Sequence, residues 1–236
     1  MEKIAFISGE TIYYWSSIVL TLATLTAICF FWSLYLGKGG NAVAAFSVVP
    51  LAIALSLLLG RLVHWYCRTS SYDSFASAMK PFSPGGYALL GVFAGCALAA
   101  VLVRLVHFDR SLPQMLDCMA VAGCAGIAVG RLACFFNSTD RGQIVTSTQS
   151  LPWVYPVTNA VSGATEYRLA TFILQAMAAL VLFLILLLFY LPKKRKDGDT
   201  ALIFLLLYGV SQIVLDSTRY DKLFFRSNGF VSVVQV

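Results

Sequence analysis

Six mostly apolar stretches, each near the length of a membrane-spanning helix, run from Ile12 to Leu36, Ala42 to Leu59, Gly86 to Val103, Leu116 to Phe136, Tyr167 to Leu191 and Ala201 to Leu215. A hydrocarbon core about 30 Å thick takes about 20 apolar residues in helix. With so much of the chain in such stretches, the expected fold is an all-α polytopic transmembrane helical bundle of about six spans, a single integral membrane domain over residues 1 to 236. The second and sixth stretches are the shortest. Composition agrees: 59% of the 236 residues are hydrophobic and only 12% charged, too few charges to coat a soluble fold. That excludes a soluble enzyme, a nucleic-acid-binding module and a disordered scaffold.

The net charge of +6 is accordingly read as topology and contact with anionic headgroups. The densest basic run, Lys193 to Lys196, sits in a short loop and is expected to stay on the cytoplasmic side. Lys38, Arg104 and Arg110 then fall inside. The start of the chain, the segment from Arg61 to Pro84 and the segment from Asn137 to Glu166 fall outside. The first span, preceded by a weakly positive start, reads as a retained helix and not a cleaved signal. Five of the six cysteines lie in apolar stretches without CxxC spacing, so neither a disulfide framework nor a metal site is indicated. No internal repeat is present, which leaves a small-solute transporter with little support.

Charges at membrane depth are costly and mark structure or function. Asp117 and Arg131 stand fourteen residues apart in one span, about 21 Å along a helix at about 1.5 Å per residue, too far to pair with each other. Asp117, near the inner end, reads as a capping or structural acid. Arg131, several residues inside the outer boundary, presents a planar fork suited to phosphate oxygens. It either holds a phospholipid headgroup or snorkels along apolar surface. In the last span Asp216 and Arg219 are i, i+3 neighbours, either a solvated helix end or a second contact to an anionic ligand. The segment from Phe82 to Tyr87, with Pro84, Gly85 and Gly86, lets the backbone turn at the interface. Trp153, Tyr155 and Tyr167 read as interfacial anchors. His64 and His107 are isolated in sequence, and neither makes a strong general base.

These residues resemble a known family, the bacterial prolipoprotein diacylglyceryl transferases, over most of the chain. The likeness is carried by Asp117 followed by Gly130-Arg131, then Phe135, Asn137 and Gly142, by Pro152-Trp153, by Gly60-Arg61-Leu62, and by Tyr208-Gly209 followed by Asp216, Arg219 and Asp221. The resemblance implies an inner-membrane enzyme with its active site toward the outer face. It implies transfer of the diacylglyceryl group of phosphatidylglycerol to the cysteine thiol of lipobox-containing prolipoprotein signal peptides, with no cofactor and no nucleic acid partner. Arg131, Arg219 and Asn137 would be catalytic, the arginines on the phosphate and Asn137 donating a hydrogen bond. Arg61, Gly85, Gly86, Tyr87 and Asp216 would bind substrate, while Asp117, Tyr208 and Gly209 would be structural.

The chain departs from the family pattern at several positions. No histidine occurs from Phe82 to Gly91, Cys134 and Thr139 stand where the family has asparagine and glutamate, Thr165-Glu166-Tyr167 replaces a His-Pro region, and Gln212 replaces an arginine. The segment from Asn228 to Gln235 resembles the start of a seventh span that the sequence does not continue, as in a truncated or divergent member. These departures favour, as the alternative, a catalytically impaired or altered-substrate homologue that binds membrane lipid or partners.

Overall fold

The computed structural model describes residues 4–8, 11–69, 72–80, 86–107, 112–137, 142–145, 153–158, 165–190 and 196–216. In chain order the elements are β1 (Ile4–Ser8), β2 (Thr11–Tyr14), α1 (Trp15–Gly37), α2 (Ala42–Cys67), α3 (Phe75–Met79), α4 (Leu89–His107), α5 (Leu112–Gly130), α6 (Ala133–Asn137), β3 (Val154–Thr158), β4 (Thr165–Leu169), α7 (Thr171–Tyr190) and α8 (Asp199–Asp216). Among the described residues, five helical stretches are long and apolar enough to cross a membrane: Trp15–Gly37, Ala42–Cys67, Leu89–Val106, Leu112–Phe136 and Thr171–Phe189. The apolar part of α8, Asp199–Leu215, is shorter. The chain is therefore a multi-pass membrane protein built on helices. The segment expected to begin a seventh span lies outside the described residues, as do Lys193 to Arg195.

Several boundaries move from the sequence expectation. The second span is not short, since α2 continues for 26 residues through Arg61 and His64 to Cys67. Both polar side chains find partners inside the protein, described below, so the helix has no reason to end at Leu59. The fourth span reaches Phe136 as expected but begins at Leu112, and a turn at Arg131 and Leu132 separates α5 from the short α6 within it. Tyr167, expected to open the fifth span, lies in β4, and α7 begins at Thr171.

Two antiparallel hairpins, β1 with β2 and β3 with β4, were not foreseen from hydropathy. In the second, Tyr155 pairs with Arg168 and Val157 with Glu166. Residues 142–145 also run beside β4, with Gly142 donating to the Leu169 carbonyl at 3.0 Å and Val145 to that of Tyr167 at 2.8 Å.

The described residues group into two compact units. In the unit formed from Met1–Phe30, Val121–Lys193 and Leu202–Lys222, α1 and α5 meet along small residues. A methyl group built on Gly126 would lie 3.0 Å from the Ala27 Cβ, and one on Gly130 would lie 3.5 Å from the Ala23 Cβ. Lipid tails are as apolar as the side chains, so helices associate here through close packing and not through a hydrophobic driving force. Trp15 stacks on Phe136 with ring centroids 6.1 Å apart, and Phe30 meets Phe183 edge to face at 5.0 Å.

In the unit formed from Phe31–Ala120, Lys194–Ala201 and Leu223–Val236, α2 and α4 make the most extensive helix pair. Gly91 faces the Leu59 carbonyl so closely that no side chain fits there. A methyl group on Gly95 would come 2.5 Å from the Ser56 amide nitrogen. The Ser56 hydroxyl donates to the Val92 carbonyl at 3.0 Å, and the Ala88 N–H donates to the Gly60 carbonyl at 2.9 Å. The seam thus ends at Gly60, and the next residue is Arg61. Outward faces remain apolar: Leu90, Leu105 and Val106 are each more than half exposed, which is what lipid contact requires.

Candidate functional site

Arg61 leaves α2 one residue past the glycine seam and is 4% exposed. Its Nε donates to the Ala78 carbonyl at 2.6 Å and one terminal nitrogen to the Gly86 carbonyl at 3.3 Å. Its guanidinium also lies over two aromatic faces, 5.2 Å from the centre of the Tyr72 ring and 5.5 Å from that of Tyr87. A desolvated cation gains on the order of 2 kcal/mol from such a face. Carbonyl oxygens and ring faces together replace the water that a buried guanidinium loses.

The acceptors are put in place locally. Ser74 caps α3 by accepting the Ser77 N–H at 3.1 Å, and this short helix carries the fully buried Ala78. Trp65 of α2 meets Phe75 of α3 edge to face at 4.9 Å. Gly86 packs on the His64 imidazole, where a methyl group would stand 2.7 Å from Nε2. One turn along from Arg61, His64 shares a hydrogen bond at 2.8 Å between its Nδ1 and the Tyr72 hydroxyl. Arg61, His64, Tyr72, Gly86 and Tyr87 therefore form one cluster at the end of the α2 and α4 pair.

Of the residues assigned to substrate binding from the sequence, Arg61, Gly86 and Tyr87 meet here. Gly85 lies outside the described residues. Tyr72 and His64 join them, though neither is named as a site residue from the sequence. The i, i+3 spacing of Arg61 and His64 was the available signal, because it places both on one face of a helix once α2 is known to continue past Leu59.

The same unit holds Asp117, which is 3% exposed. Its carboxylate accepts the N–H of Gly198 at 2.8 Å and that of Ala201 at 2.7 Å. The N–H groups opening a helix have no intrahelical acceptor. Here the acceptor comes from a residue some eighty positions earlier, and Gly198 turns the backbone at φ +102° to present its N–H.

In the other unit Arg131 directly follows α5, its N–H bonded to the Ile127 carbonyl at 2.9 Å. The Arg131 side chain is half-buried, and the chain then turns into α6, whose last residue is Asn137. Phe135 of α6 and Tyr155 of β3 both contact Phe172 at the start of α7, with centroids 5.8 and 5.7 Å apart. That contact brings the end of α6, the second hairpin and the beginning of α7 together. Arg168 is 9% exposed and donates to Glu166 from Nε at 3.2 Å and from Nη2 at 2.8 Å. These alternate residues of β4 share one face of the strand.

Tyr208 is buried in α8 and stacks on Phe204 at 5.3 Å. The adjacent Gly209 faces open space. Asp216 is the last residue of α8, and Arg219 lies outside the described residues. Among the described residues no group of three or more His, Cys, Asp or Glu side chains is placed to hold a metal ion.

Comparison with known proteins identifies the family. Over 242 aligned residues the chain is 24% identical to the phosphatidylglycerol–prolipoprotein diacylglyceryl transferase of Streptococcus pyogenes serotype M3, covering 100% of this chain and 92% of that protein. The protein of the same description from serotype M5 is 23% identical with the same coverage. The family model described as prolipoprotein diacylglyceryl transferase matches residues 3–236; the chain belongs to that family.

Proposed function

We propose that this protein transfers the diacylglyceryl group of phosphatidylglycerol to the lipobox cysteine of prolipoproteins in a bacterial plasma membrane, at a site toward the outer face. The observation that carries the reading is the family match over nearly the whole chain. Basic side chains at helix ends, Arg61 and Arg131 among them, support it.

In the reaction the cysteine sulfur attacks the glycerol carbon that bears the phosphate ester. A C–S bond forms, the C–O bond breaks, and the electron pair leaves on glycerol phosphate. The proton lost by the thiol ends on the phosphate monoester or on water. Negative charge grows on the departing oxygen, so fixed donors and cations aimed there lower the barrier. Arg131 and Arg219 are assigned to that phosphate and Asn137 to a hydrogen bond on it, while Asp216 orients an arginine. A thiol is the strongest of the common side-chain nucleophiles and needs modest help. Among the described residues Arg61 engages two carbonyls and two rings, which supports a role in holding Gly86 and Tyr87 against substrate.

The test is incubation of the purified protein in phosphatidylglycerol vesicles with a synthetic lipobox peptide, reading the peptide mass. A gain of one diacylglyceryl group is expected. No gain from folded protein that still retains phosphatidylglycerol overturns the transferase reading. It favours a lipid-binding homologue, in keeping with the absence of histidine from Gly86 to Gly91.

A further inference from the structure

Helix α7 holds the most apolar of the membrane-length windows, yet it carries the amide of Gln175. That side chain is 1% exposed, and among the described residues neither its nitrogen nor its oxygen has a hydrogen-bond partner. A buried polar group left unbonded is a cost that leucine at the same place would avoid. Gln175 lies one turn from Phe172, the residue on which Phe135 of α6 and Tyr155 of β3 converge. It is therefore set just inside the end of α7 that meets the segment following Arg131.

We propose that Gln175 recognises a hydroxyl group on the polyol headgroup of an anionic glycerophospholipid. This rests on reading the chain as a transferase that uses phosphatidylglycerol. The chemistry follows from the two unbonded atoms. The amide oxygen only accepts and the amide nitrogen only donates. A phosphate oxygen satisfies the second atom alone, and an ammonium headgroup satisfies the first alone. A hydroxyl both donates and accepts, so a glycerol headgroup satisfies the whole amide. Gln175 is thus a specificity-determining residue, selecting the lipid by what is attached beyond the phosphate. The glycerol phosphate released by the reaction carries the same hydroxyls.

The experiment is native mass spectrometry of the purified full chain with phosphatidylglycerol and phosphatidylmethanol of identical acyl chains in competition, the latter an anionic phosphodiester without a hydroxyl. Wild type should prefer phosphatidylglycerol by about tenfold, the scale of two ordinary hydrogen bonds. In Gln175→Met that preference should fall to about one, with phosphatidylmethanol retention unchanged and no loss of thermal stability. Gln175→Leu gives the same reading through a differently shaped side chain. Preference persisting in both variants, or absent from wild type, overturns the proposal. Free glycerol phosphate separates the two sources of the headgroup: displacement of lipid from wild type but not from Gln175→Met extends the site to the released product, and no displacement confines it to intact lipid. The peptide assay separates this inference from the proposed function. A wild type that shows the Gln175-dependent preference without modifying peptide supports this site while overturning transfer. A wild type that modifies peptide, with unchanged preference in Gln175→Met, does the reverse.

Discussion

Arg61 and Ala78 are joined by the shortest hydrogen bond of the α2 end cluster, Nε to carbonyl oxygen at 2.6 Å. The second bond of the same guanidinium goes to the Gly86 carbonyl. One side chain thus fixes both the segment leaving α3 and the segment entering α4.

Replacing Arg61 should reveal that double hold. Arg61→Ala is expected to lower unfolding free energy by about 2–3 kcal/mol, the scale of hydrogen bonds made by a charged group. Arg61→Lys should recover less than half of the loss, because a single ammonium cannot reproduce a fork aimed at two carbonyls. Denaturant titration in detergent would measure both, and full recovery by lysine would show that charge alone matters.

The glycines are not equivalent. Gly91→Ala and Gly95→Ala place a methyl group against the α2 backbone and should each destabilise the protein by about 1–3 kcal/mol, the range for overpacking. Gly209→Ala meets nothing within 4 Å and should be neutral or stabilising by up to about 1 kcal/mol through helix propensity. Thermal midpoints of the three variants would test the contrast; a Gly209→Ala loss matching the other two would contradict it.

Asp117 should behave as a distant helix cap. Asp117→Ala removes both acceptors from the Gly198 and Ala201 N–H groups and is expected to cost about 2 kcal/mol. Asp117→Asn keeps one acceptor and should cost about half as much. Hydrogen exchange read by mass spectrometry should show the loss first in the opening turn of α8. Protection unchanged there in Asp117→Ala would sink the assignment.

Arg131 carries the prediction for activity. Arg131→Ala should reduce diacylglyceryl transfer to a lipobox peptide by about 10²-fold or more, the scale for losing one preorganised donor at developing charge. Arg131→Lys should retain part of the rate. Transfer at the wild-type rate by Arg131→Ala would remove this residue from the chemistry.

The spans were legible because a bilayer demands long apolar runs, and α1, α4, α5 and α7 fall where those runs predict them. Hydropathy failed where partners within the protein replace water. The end of α2 looked too polar to continue, since the carbonyls of Ala78 and Gly86 that receive Arg61 have no signature in sequence. The pairing of Tyr155 with Arg168 was hidden for a related reason: it is made by backbone groups thirteen positions apart in sequence. Arg61, Gly86 and Tyr87 could be named in advance, but the meeting of His64 with Tyr72 depends on how the chain turns after α2.

The seam between α2 and α4 is built from Gly91, Gly95, Ser56 and the Leu59 carbonyl, so backbone sets the register of these two helices. Side chains on their lipid-facing sides need only be greasy. Phe46, Leu58 and Leu90 are each more than half exposed and are therefore exchangeable for other apolar residues at little cost. A fold whose alignment is recorded in so few positions can tolerate wide turnover of its outer surface while still delivering Arg61 to the same place.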